Sequence, residues 1–356
     1  MNFVLTAQFS GGLFTNGLQQ NIVFLATLLK DLGHEAFIAI NHPTDEGIDM
    51  PAHIPIIQKA EILSLERIDY LLQTGWAFST EFVSGIRKIH PGVKNVHIHY
   101  GNRLLADIEQ SLRDTSPLPN EDVDEVWVSP HYEFAFQYLK VYYNTPRVFT
   151  LPYIWSPTYI EAHSKIWEKM GKSCHYNPAA PKLPVVVEPN LNMTKNCIPS
   201  IMICEEALRR DSSLFTSLTV NCSSVIASKR YFKILMWNLD IQKEGKLRFD
   251  SRKAICKTFA EGKNVMVSHQ LLNGLNYTYL EALYFNIPLV HNSEYIRDAG
   301  YYYPNYDVCD GATQLIRATR EHDNNLEEYK AQAQKIMWRY SPENPDVKSA
   351  YKRLLG

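Results

Sequence analysis

The segment that most constrains this chain is residues 273–293, N-G-L-N-Y-T-Y-L-E-A-L-Y-F-N-I-P-L-V-H-N-S. The apolar run Val265, Met266, Val267 stops at Ser268-His269, and Asn273-Gly274 supplies a turn-permissive break. Leu280, Leu283 and Tyr284 recur at helical spacing, Asn286 closes the helix and Pro288 forbids its continuation. Residues 287–291 read as a strand covered on both faces. This order predicts a parallel sheet whose helix N-termini open onto a ligand crevice. It places Glu281 one or two turns inside such a helix, where a carboxylate reaches the hydroxyls of a bound ribose.

A chain of 356 residues exceeds what one core usually organises, so two domains are expected. Hydrophobic residues at 45% and charged residues at 21% leave little room for long disorder. No run approaches the roughly 18 apolar residues of a membrane span, so no stable membrane insertion is expected. The N-terminus lacks a basic region and a small-residue cleavage site and reads as a first strand, which makes a cytoplasmic location the expectation. The 6 cysteines show no C-x-x-C spacing, an argument for reduced core thiols and against a zinc site or disulfide framework.

Charge is divided unevenly. Residues 1–150 carry 10 Lys+Arg against 17 Asp+Glu although the whole chain nets only −2, so the second half is the better home for an anionic ligand. The basic surplus peaks in residues 226–263, which suit either a solvated face or a phosphate-facing one.

The alternation of strands and helices begins at residue 3. A strand breaks at Ser10-Gly11-Gly12, and after Phe14-Thr15-Asn16-Gly17 comes a helix, then a strand at residues 37–40. Such a loop offers backbone amides to an anionic or sugar ligand, but it does not match G-x-G-x-x-G, which disfavours a nicotinamide dehydrogenase. His97 and His99 share one face of a strand, and His99, beside the break at Tyr100-Gly101, lies where ligands approach parallel strands. Without an acidic or Cys partner at recognisable spacing, no metal site is expected there. Residues 158–182 read as a linker. A buried strand then runs into the polar loop of residues 188–196, where Lys195 at the start of a helix suits a diphosphate, as does Arg252 at a later helix start. Helices at 326–339 and 345–355 finish the chain.

Two Rossmann-like halves with a final helix resemble the layout of the GT-B glycosyltransferases. The central stretch is similar to the signature of their retaining, glycogen-synthase-like branch, often E-G-F-G-L-x-x-L-E-A-M-A-x-G-x-P-V-I, which here reads N-G-L-N-Y-T-Y-L-E-A-L-Y-F-N-I-P-L-V. Whole-chain features such as P-Y-I-W-S-P and N-L-N-M-T-K also resemble a set of bacterial and phage glycosyltransferase-like proteins. The resemblance implies an α/β fold of two Rossmann-like domains with a cleft between them and a C-terminal helix crossing back to the first. Expected boundaries are an acceptor domain at 1–157, the linker at 158–182, a nucleotide-sugar domain at 183–340 and the final helix at 341–356. It further implies that Glu281 takes the ribose hydroxyls, that Asn273, Gly274, Leu275, Asn276 and Tyr277 line the donor with Gly11, Gly12, Asn16 and Gly17, and that His99 faces the donor sugar. Two departures stand out. Asn273 replaces the first glutamate of the family pair, and the family's diphosphate Arg and Lys have no clear counterparts, so Lys195 and Arg252 are assigned by position.

The expected reaction is transfer of a sugar from a nucleoside diphosphate sugar, the donor substrate, to a hydroxyl, with retention and without a metal or other cofactor. A surface glycan, a glycolipid or 5-hydroxymethylcytosine in phage DNA are the expected acceptors. A sugar-nucleotide epimerase of the same fold and a non-catalytic nucleotide-sugar binding module are the alternatives.

Overall fold

The computed structural model describes residues 1–9, 17–41, 53–112 and 122–356. They form two compact units, Met1–Ser156 with Tyr340–Gly356, and Pro157–Arg339.

The first unit contains β1 (Asn2–Ala7), α1 (Gly17–Asp31), β2 (Glu35–Ile40), β3 (Ile56–Gln58), β4 (Tyr70–Gln73), α2 (Thr80–Ile89), β5 (Lys94–His99), α3 (Arg103–Leu112), β6 (Glu125–Val128), α4 (Phe136–Tyr142) and β7 (Val148–Thr150). Its strands lie in the order β3-β2-β1-β4-β5-β6-β7, and every pairing is parallel. Phe3, Val4, Leu5, Leu71, Leu72, Val126 and Val128 are fully buried, as strands with helices on both faces require. The acidic run ahead of β6 has a structural use. Asp122 and Asp124 both pair with Arg87 of α2, and the buried Glu125 carboxylate is held below its ordinary pKa, against the cost of burial, by Arg147, Trp127 and Lys94.

The second unit runs through α5 (Thr158–Glu168), β8 (Pro184–Val186), α6 (Ile198–Arg210), β9 (Leu218–Val220), α7 (Ser224–Ser228), α8 (Arg230–Trp237), α9 (Asp240–Lys243), β10 (Leu247–Phe249), α10 (Ile255–Ala260), β11 (Val265–Val267), α11 (Tyr277–Tyr284), β12 (Leu289–His291), β13 (Tyr301–Tyr302), α12 (Val308–Glu321) and α13 (Leu326–Arg339). Strand order is β10-β9-β8-β11-β12-β13, again parallel throughout. Gly311 lets α12 approach α6 closely, because a Cβ there would sit 2.8 Å from Ile203 Cδ1. Tyr329 of α13 donates to the Ile287 carbonyl at 2.6 Å and accepts from the Leu289 amide at 3.2 Å, latching that helix to the start of β12. α11 ends as its sequence expects, with Asn286 left-handed at φ 57°, and the next strand starts at Leu289, after Pro288.

Residues 158–182, read from the sequence as a linker, lie within the second unit. They begin with α5, where the Tyr284 hydroxyl donates to Glu161 at 2.8 Å and the Cys256 thiol to the Ile160 carbonyl at 3.7 Å. The final helix, α14 (Pro345–Leu355), belongs to the first unit. Its buried Tyr351 donates to the Pro152 carbonyl at 2.7 Å, and the Leu355 carbonyl accepts from Tyr70 at 3.3 Å. Among the described residues no helix is long and apolar enough to cross a membrane.

Because Tyr351 is only 1% exposed, Tyr351→Ala is expected to destabilise the first unit by about 3–5 kcal/mol. Tyr351→Phe, which keeps the ring and loses one hydrogen bond, should cost about 1 kcal/mol. Urea unfolding of the two variants checks the ranking, and equal losses would contradict it.

Candidate active site at the carboxyl edge of the second sheet

In a doubly wound sheet, ligands bind outside the carboxyl ends of the strands where the strand order reverses. In the second unit that point lies between β8 and β11. The loops that leave these two strands, and the start of α11, carry most of the candidate residues.

Backbone strain concentrates at this edge. Asn190, Cys222 and Leu272, just beyond β8, β9 and β11, have φ of 54°, 56° and 50°. Left-handed residues other than glycine persist only where neighbours hold them. Asn190 shows how. Its amide donates to the carbonyls of Glu188 at 2.9 Å and Cys222 at 3.2 Å, and its oxygen accepts from the Cys197 amide at 2.8 Å at the cap of α6. The Asn192 side chain accepts from Thr194 Oγ1 at 2.7 Å and from the Lys195 amide at 3.2 Å, and Leu271 N donates to the Thr194 carbonyl at 3.1 Å. Lys195 therefore sits in a braced turn two residues before the α6 cap, and not in the helix itself.

Glu188, 1% exposed, leaves β8 directly into this edge. It accepts from the Ser268 hydroxyl and, at 3.4 Å, from Gln270. Ser268 Oγ is also 3.0 Å from the hydroxyl of Tyr279 on α11, and its carbonyl accepts from Tyr303 at 3.2 Å. Burial raises the Glu188 pKa to about 7, while the Ser268 bond and the charge of Lys195 oppose the rise. Burial lowers the pKa of half-buried Lys195; Glu188 works against that, and the Arg252 guanidinium adds to it. The structure thus brings Lys195 and Arg252 into one electrostatic cluster with a carboxylate as counterion. Two cations against one partly protonated acid can accept a dianionic group.

The loop before α11 is packed. Asn273, Leu275 and Tyr277 are buried, the Gly274 carbonyl accepts from Ser293, and a Cβ on Gly274 would lie 2.8 Å from the Tyr295 ring. Asn276 caps α11, accepting from Thr278 N at 3.4 Å. Glu281 follows in the second turn. It is 7% exposed, burial raises its pKa to about 7, and its carboxylate makes no hydrogen bond or ion pair among the described residues. A buried carboxylate without a protein donor is costly to ionise, and a ligand hydroxyl can supply the missing donor.

The remaining predicted residues lie in the first unit or outside the described residues. His99 ends β5 with Nε2 3.0 Å from the Tyr143 hydroxyl; burial, and then the charge of Arg103, push its pKa down to about 3, so it acts as a neutral hydrogen-bonding ring. His97 packs 6.3 Å away, centroid to centroid. Gly17 opens α1, where its carbonyl accepts from Asn21 at 2.8 Å. Gly11, Gly12 and Asn16 lie outside the described residues. Sequence reasoning passes over Glu188, Ser268, Gln270 and Tyr279 as site residues. The available signal is an acid at the exit of a fully apolar strand, because an acid there needs partners.

Comparison with solved structures places this geometry in a known fold. The phage T4 alpha-glucosyltransferase in complex with UDP and a 13-mer DNA containing an HMU base superposes with a TM-score of 0.64 at 11% identity, over 100% of both chains. A variant of S. aureus TarM in complex with fondaparinux, alpha-GlcNAc-glycerol and UDP gives 0.62 at 8%, again over 100% of both chains. Anabaena HepE in complex with UDP and glucose gives 0.58 at 12%, over 99% of this chain and 98% of that one. The fold is GT-B, two parallel-sheet α/β domains. No curated protein matches the sequence. One family model does match, over residues 4–355, and this chain belongs to that family, described as protein of unknown function (DUF2827).

Proposed function

We propose that this protein is a glycosyltransferase that moves a sugar from a nucleoside diphosphate sugar to an acceptor hydroxyl. Glu281 is the observation that carries this reading. It is a buried carboxylate without a donor among the described residues, in the same unit as the Lys195–Arg252 cluster. That pairing suits a ligand with vicinal hydroxyls at one end and a diphosphate at the other, and three structural neighbours of this chain hold UDP.

In the proposed reaction the bond from the sugar C1 to the β-phosphate oxygen breaks as the acceptor oxygen bonds to C1. The acceptor proton passes to the departing phosphate, on the same face, which retains configuration. Negative charge grows on the diphosphate, so Lys195, Arg252 and the backbone amides before α11 give the main stabilisation, without a metal. His99 of the first unit, neutral and bonded to Tyr143, is assigned a hydrogen-bonding role and no proton transfer. The acceptor is a hydroxyl of a surface glycan or glycolipid. One neighbour holds modified DNA, which favours a hydroxymethylated base as the second reading.

A thermal-shift screen with UDP-sugars should raise the melting temperature of the protein, and Glu281→Ala should abolish the effect. A shift that survives the substitution would place the nucleotide elsewhere.

Between about pH 4.5 and 7 the folded state holds a proton on Glu281 that the unfolded chain has lost, so stability falls as pH rises through that window. Glu281→Gln should therefore stabilise the ligand-free protein at pH 8 by up to about 3 kcal/mol relative to its effect at pH 4. Denaturant titrations at the two pH values test this, and an unchanged pH profile would refute it.

Lys195→Ala should reduce turnover by roughly 10²–10³ while the fold persists. Following the anomeric proton of the product by NMR distinguishes retention from inversion. Epimerised or hydrolysed donor in the absence of any acceptor would instead identify an epimerase or a hydrolase.

A further inference from the structure

The basic run of residues 226–263 contains both ion-paired and unpaired cations in the structure. In its C-terminal part Lys243 pairs with Asp240, Lys246 with Glu244, and Lys253 with Asp250 and Glu261. In its N-terminal part Lys229, Arg230 and Lys233 are exposed and form no ion pair among the described residues, and no acidic residue occurs from 223 to 239. The same stretch exposes large apolar side chains: Val225 on α7 at 71%, and Tyr231, Ile234 and Trp237 on α8 at 78%, 60% and 76%.

Helical spacing accounts for this face. Phe232 and Met236 turn inward, and Phe232 meets Phe249 edge to face at 5.4 Å. Tyr231, Ile234 and Trp237, at intervals of three, form a stripe on the other side, with Arg230 and Lys233 between them. The inward residues anchor the helix, so exposure of the outer stripe is not a consequence of poor packing. Leaving it in water is unfavourable unless something covers it.

We propose that α7 and α8 form a docking surface for an anionic lipid bilayer. Charge complementarity and the choice of side chains favour this occupant. Tyr and Trp combine an apolar ring with a polar tip and suit the headgroup level, Ile234 and Val225 suit the acyl boundary, and the three cations suit acidic headgroups. A second copy of the chain across a twofold axis would set Lys229, Arg230 and Lys233 against their own equivalents. Nucleic acid would gain nothing from the exposed aliphatic Ile234 and Val225. This inference does not rest on the proposed transfer reaction, and its test reads lipid binding alone.

The full chain is mixed with phosphatidylcholine vesicles, with and without phosphatidylglycerol, and sedimented. Binding is expected only to the acidic vesicles and should weaken with added salt. Replacing Lys229, Arg230 and Lys233 together by Ala should weaken it on the order of a hundredfold. Replacing Tyr231, Ile234 and Trp237 by Ser should abolish co-sedimentation. Lys243→Ala with Lys246→Ala, two cations paired with Asp240 and Glu244, should leave binding within a factor of a few. The fluorescence difference between the native protein and Trp237→Phe should shift to the blue on acidic vesicles. Because the side chains replaced at residues 229–237 are exposed, circular dichroism of those variants should match the native protein. No binding to acidic vesicles overturns the proposal. So does equal loss in the Lys243/Lys246 control, or a face that instead binds duplex DNA or pairs two copies in sedimentation equilibrium.

Discussion

The second unit depends on how it accommodates charge taken out of water at the switch point of its sheet. Glu188 leaves a fully apolar strand and has nowhere to go but the edge beyond it. It stays there because Ser268 and Gln270 supply donors and Lys195 supplies a counter-charge. Removing one partner from such a cluster costs more than the pair contributes, since the other charge is left buried alone. That asymmetry couples the loop after β8 to the loop after β11. Asn190, Asn192 and Leu271 carry the coupling through the backbone.

Glu281 differs from Glu188 in one respect that matters for function. Both are buried and both have pKa values raised to about 7, but among the described residues Glu188 has donors and Glu281 has none. One carboxylate completes the structure; the other is left for a ligand to satisfy. The uncharged Asn273 keeps a third acid out of the same edge, where burial would make its ionisation costly.

The sequence revealed those parts of the fold that rest on local pattern. β11, α11 and the stop at Asn286 follow from an apolar run, a helical spacing and a proline, and the structure has them at or within a residue or two of the expected places. β3 escaped because three residues are too few to show a period, and α3 was passed over although Leu104, Leu105, Ile108 and Leu112 recur at helical spacing. Residues 158–182 read as a linker because their anchoring bonds run to residues about a hundred positions away, at Cys256 and Tyr284. In the site, Glu281 was legible from its helix, whereas Glu188 was not, since its donor Ser268 is 80 residues distant. Separation along the chain, more than residue type, decided what could be read.

The most direct measurement is a crystal structure of the protein with a UDP-sugar. The expected density puts the ribose hydroxyls within hydrogen-bond distance of the Glu281 carboxylate and the diphosphate against Lys195 and Arg252. A nucleotide bound at another edge, or one bound here with its ribose turned away from Glu281, would contradict the assignment of this site.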